Sequence, residues 1–154
     1  MPRFAPLLLA AALALPAAAD DEAGYYYPPV GSSEVFDRTL ADAPPADRSV
    51  RVAFVTGLTR QQLDKGYAPR FVLFAKGAES EELIAVALDD EVFATLYRAR
   101  AVMAQMSAPT RVTQFFVEND LSERATFYDM LKIMGFRSLT LSDGRSWSHK
   151  VAFR

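Results

Sequence analysis

ELIAVALDDEVFATLYRARAVMAQM, residues Glu82–Met106, reads as a buried strand, a two-aspartate break and a long helix. Leu83 to Leu88 is apolar at every position, the pattern of a strand covered on both faces. From Glu91 to Ser107 apolar residues recur at helical spacing. Val92, Leu96, Ala99, Met103 and Met106 form one stripe, flanked by Phe93 and Tyr97. Asp89 or Asp90 is placed to cap this helix, and Asp90 and Glu91 suit its positive end. Pro109 closes it. A strand covered on both sides and a helix covering one of them make the nucleus of a domain.

Upstream of this nucleus, Arg70 to Lys76 is a strand dense in Phe, Val and Leu, and the Gly77–Glu81 loop is short enough for a hairpin into Leu83. Val50 to Thr56 alternates, with Val50, Val52 and Phe54 on one face, and is expected to be another strand. Thr59 with Gln62 is a capping-box pattern and Gly66 a stop, so one or two helical turns follow it. Residues 20–48 are read as an extended arm and loop, interrupted by Pro28-Pro29 and Pro44-Pro45, with a short segment of open type around Glu34 to Leu40.

Downstream, Thr110 to Glu118 is half polar on each face, as a strand nearer the sheet edge would be. Asn119 or Asp120, with Glu123, should cap a second helix whose apolar face is Phe127, Met130, Leu131 and Met134 and whose end is Gly135. Arg137–Leu141 and Ser146–Phe153 are strands joined by an Asp143-Gly144 turn. The expected class is therefore α+β: a mixed, mainly antiparallel sheet of about five to six strands with two main helices packed on one face. The all-apolar Leu83 strand should be central. A strict doubly wound alternation is missing, so no nucleotide-binding crevice is implied.

The N-terminus carries an export pattern. Arg3 is the positive region, Phe4 to Leu15 the apolar one, and Ala17-Ala18-Ala19 offers small residues for cleavage before Asp20. Residues 1–19 are expected to be a signal peptide, and 49–154 a single domain that is periplasmic or secreted, with no stable membrane anchor after cleavage. The formal net charge is −2, and the signal would remove one basic residue, Arg3, and no acidic one. An acidic chain without a basic patch argues against nucleic acid as a partner. The absence of cysteine and the single histidine exclude thiolate chemistry and a multi-histidine zinc site within one chain.

Few residues stand out chemically. His149 alternates with Trp147, Val151 and Phe153 and so points to the apolar side. It is either a general base or pH switch, or a hydrogen-bonded histidine at the rim of the core; no neighbouring Ser or Cys makes a recognisable nucleophile motif. Arg100 falls inside the apolar stripe of its helix and needs a partner if desolvated. That partner is an internal acid such as Glu118 or Asp129, or else an anionic ligand. Asp89-Asp90-Glu91 suggests helix capping before any cation site. Tyr25-Tyr26-Tyr27 is a packing arm or an aromatic platform. Ser142–Ser146, including Arg145, is a ligand rim beside Trp147 or a plain hairpin tip. No Gly-rich phosphate loop, GxSxG or HExxH occurs.

Several segments together are similar to a known group: Ala23–Pro29, Arg51–Thr56, Tyr67–Phe71, Phe74–Gly77 and Ala87–Val102, continued by Tyr128-Asp129-Met130 and Ser142-Asp143-Gly144. They resemble small exported bacterial proteins that often carry the label "molybdopterin-guanine dinucleotide biosynthesis protein A". The resemblance spans nearly the whole chain after the signal. The activity in that label implies GTP, magnesium and a Gly-rich nucleotide loop. This chain has no such loop, so no functional residue transfers from it. The reading that follows is a non-catalytic exported binding or accessory domain, whose partner is a periplasmic protein or small ligand and which needs no cofactor or metal. The alternative is an enzyme, in its named version one of molybdenum-cofactor biosynthesis.

Overall fold

The computed structural model describes residues 28–41 and 46–154. Within them the order is β1 (Ser32–Phe36), α1 (Arg48–Leu63), β2 (Phe71–Lys76), β3 (Glu82–Ala87), α2 (Leu96–Gln105), α3 (Ser107–Arg111), α4 (Gln114–Glu118), α5 (Phe127–Ile133), β4 (Ser138–Ser142) and β5 (Ser148–Phe153). The strands form one mixed sheet in the order β1-β5-β4-β3-β2. The antiparallel ladders β2–β3 and β4–β5 hold six and five residue pairs, and the parallel ladders β1–β5 and β3–β4 five each. The α+β class and the mixed sheet are as the sequence implies. β3 is interior, one place off the centre, and Leu83, Ile84 and Ala85 are fully buried.

Register sends Phe71, Leu73, Leu83, Ala85, Leu139, Leu141 and Val151 to one face. There they meet Val55 of α1, Ala99 and Met103 of α2, and Phe127 and Leu131 of α5 in a single core. A second, smaller cluster of Phe116, Leu121, Ala125 and Met130 lies under the α4–α5 connection. No helix among the described residues is long and apolar enough to cross a membrane.

Two expected strands are helices. Val50–Thr56 lies inside α1, because Asp47 caps the helix by accepting from the Val50 N–H at 2.9 Å. The face that matters is Arg51 and Val55, four residues apart, with Phe54 and Leu58 beside them, while Val50 and Val52 stay exposed. Arg51 is buried because its guanidinium donates to the carbonyls of Glu79 and Ala46, at 2.8 and 2.6 Å. Thr59 is therefore mid-helix and donates back to the Val55 carbonyl.

Thr110–Glu118 is likewise the end of α3 and then α4. Pro109 does not close a helix; it sits in the first turn of α3, where its missing N–H costs nothing.

Both expected helix caps move downstream. Thr95, not Asp89 or Asp90, caps α2. Val92 and Phe93 are buried ahead of the helix in a turn that Asp89 organises through the Glu91 N–H. Thr126, not Asn119 or Asp120, caps α5 in a reciprocal box with Asp129. Gly135 ends that helix at φ +75 as read, and a Cβ there would meet the Arg51 guanidinium at 3.0 Å. Finally, β1 begins in the expected extended arm and runs into the segment of open type, and makes one edge of the sheet.

Candidate functional site

β1 is short and alternates, so Ser32, Glu34 and Phe36 share the helix-covered face. Its parallel register sets Ser32 opposite His149, Glu34 opposite Val151 and Phe36 opposite Phe153. His149 is buried, on the apolar side as its alternation requires. Its Nδ1 lies 2.8 Å from Ser32 Oγ, and its Nε2 lies 3.4 Å from Glu34 Oε1, outside hydrogen-bond alignment. Trp147, two residues earlier on β5, stacks parallel on the imidazole with centroids 6.3 Å apart.

The other oxygen of Glu34 takes the Arg100 guanidinium. This corrects the position of Arg100: its side chain is 46% exposed, not buried under the sheet. Because α2 begins at Leu96, only Ala99 and Met103 of that helix are fully covered, and Arg100 lies at the border of the stripe, reaching toward β1. Its acid is Glu34, not Glu118 or Asp129. Asp129 is held by Thr126 at the start of α5 and lies 3.6 Å from Arg38.

Arg100 is one wall of a cleft of about 260 Å³ between α2, α5 and the end of β1. Phe36, Met103, Ala104 and Phe127 make it mostly apolar. Two of its polar residues are committed within the fold: Ser107 Oγ accepts from the Phe127 N–H, and Thr126 Oγ1 donates to Asp129. Tyr128 is not. Its hydroxyl is buried and has no hydrogen-bond partner, while its ring packs edge-on against Phe36 and Phe153. Burial, and next the charge of Glu34, push its phenol up to about 12 against the opposing pull of Arg100.

The remaining candidates lie elsewhere. Arg145 is exposed on the β4–β5 turn and pairs with Asp90 at 3.1 Å. Asp143 organises that turn. Burial pushes its carboxyl up, but the N–H donors of Arg145, Trp147 and Ser146 and the Ser146 hydroxyl outweigh it and hold the group at about 2. Asp89, Asp90 and Glu91 diverge to three different arginines, Arg70, Arg145 and Arg98, as a solvated acidic turn does. Tyr25, Tyr26 and Tyr27 lie outside the described residues.

The structure thus brings Trp147, His149 and Arg100 into one cluster and adds Ser32, Glu34 and Tyr128, which sequence reasoning did not single out. The available signal was the polar-polar alternation of Ser32 and Glu34 ahead of Phe36. No family model matches the chain, no curated protein matches it, and no solved structure matches it.

Proposed function

We propose that this chain is an exported binding domain for a small carboxylate with an apolar body, held in the cleft between α2 and α5. One observation carries the reading. The buried Tyr128 hydroxyl has no hydrogen-bond partner beside a half-exposed arginine at the wall of an apolar cleft. A buried donor left unsatisfied costs about 1–3 kcal/mol, which an accepting ligand oxygen would return on displacing the side-chain atoms that cover the hydroxyl. Glu34 takes one edge of the Arg100 guanidinium, whose five N–H donors leave others for a carboxylate. The volume is below the roughly 300–1,000 Å³ of drug-sized sites, so the ligand is smaller than those. Export rests on the Arg3, Phe4–Leu15 and Ala17–Ala19 pattern.

The experiment is native mass spectrometry of the protein recovered from periplasmic extract, beside an Arg100→Met variant. A small acid released from the first and absent from the second, on a chain beginning at Asp20, is the expected result. A ligand-free wild type, or equal ligand on both, would count against the cleft. A chain retaining Met1 would count against export.

A further inference from the structure

We infer that Ser32 is the nucleophile of an acyl-transfer site, with His149 as its general base and Glu34 as the group that orients the base. The inference does not depend on the cleft, because Ser32 is not among its lining residues.

Three side chains on two adjacent strands carry it. The Glu34 carboxylate, 3.4 Å from Nε2 and out of hydrogen-bond alignment, acts on the ring as a negative charge that favours the tautomer with the proton on Nε2. Nδ1 is then the lone-pair nitrogen, and the Ser32 hydroxyl at 2.8 Å donates to it. That is the direction a general base needs, at hydrogen-bond reach of the proton it removes. Arg100 holds the far oxygen of Glu34, and the Trp147 ring fixes the plane of the imidazole. The base is buried while its serine is on the exposed edge strand, so a substrate, and then water, can reach the hydroxyl and the Nδ1 behind it without opening the core.

The substrate class is a small carboxylic ester. Ser32 Oγ attacks the carbonyl carbon and its proton passes to His149 Nδ1. Collapse of the tetrahedral adduct breaks the bond to the alkoxy oxygen, which leaves as alcohol with that proton. Water then attacks the acyl-serine, gives its proton to Nδ1, and releases the acid as Ser32 recovers the proton. The balance is ester plus water to acid plus alcohol, with no other reactant.

The test is treatment of the folded protein with a fluorophosphonate, followed by intact-mass measurement and peptide mapping. The expected result is one adduct, on Ser32, that is absent from Ser32→Ala and forms at least ~10²-fold more slowly in His149→Gln. If His149→Gln does not fold by circular dichroism, Glu34→Gln takes its place, with slower labelling again expected. No adduct on Ser32, labelling spread over other surface serines, or a wild-type rate in the folded base or acid variant would overturn the assignment.

Discussion

Ser32 Oγ lies 2.8 Å from His149 Nδ1, although 117 residues separate the two. The bond crosses the parallel β1–β5 ladder and ties an edge strand of five residues to the body of the sheet. Because Ser32 is exposed, water can replace its hydroxyl at Nδ1. Ser32→Ala is therefore expected to fold and to lose only about 1 kcal/mol in denaturant melts, the net worth of one such bond. A loss of several kcal/mol would mean that the contact organises the fold.

Arg100 and Glu34 form a pair that solvent reaches, with side chains 46% and 29% exposed. Exposed ion pairs contribute roughly 0–1 kcal/mol. Arg100→Met should accordingly cost less than about 1 kcal/mol, in contrast to the ~3–5 kcal/mol of breaking a buried pair. Equilibrium denaturation of the ligand-free variant decides between them.

Tyr128→Phe removes a buried hydroxyl that has no partner and keeps the ring against Phe36 and Phe153. The ligand-free protein is expected to be unchanged or more stable by up to about 1 kcal/mol. A fall of 2 kcal/mol or more in the same melts would reveal an internal acceptor and remove the main support for the cleft.

Asp143 gives a pH-dependent prediction. Its folded pKa is depressed to about 2 from the ordinary 3.8, so its stabilisation is present above the unfolded value and is lost as pH falls from there toward 2. The group is partly exposed, so the discounted effect is about 1 kcal/mol. Asp143→Asn should be less stable than wild type at pH 7, and the two should converge near pH 2. A difference independent of pH would assign the effect to turn geometry instead.

Much of the fold was legible. The uninterrupted apolar run of β3, the Phe127–Met134 face with its Gly135 stop, and the Asp143-Gly144 turn each had one local solution. Val50–Thr56 failed because the same residues satisfy both periods, and the deciding buried residue is Arg51, which no hydrophobic pattern counts. Pro109 was misplaced because proline serves a first helical turn as readily as it ends a helix. At the site, His149 and Trp147 announce themselves by their place on an apolar strand. Ser32 and Glu34 do not, since only the long-range β1–β5 pairing brings them there. Arg100 was found, but its burial was overstated by a helix drawn five residues too long at its start.

The most direct test of the binding claim is an amide-resonance titration of the protein with hexanoate. Saturable shifts confined to Met103, Ala104, Ser107, Phe127 and Tyr128, lost in both Arg100→Met and Tyr128→Phe, are the predicted result. Shifts absent at millimolar hexanoate, or unchanged in both variants, would contradict it.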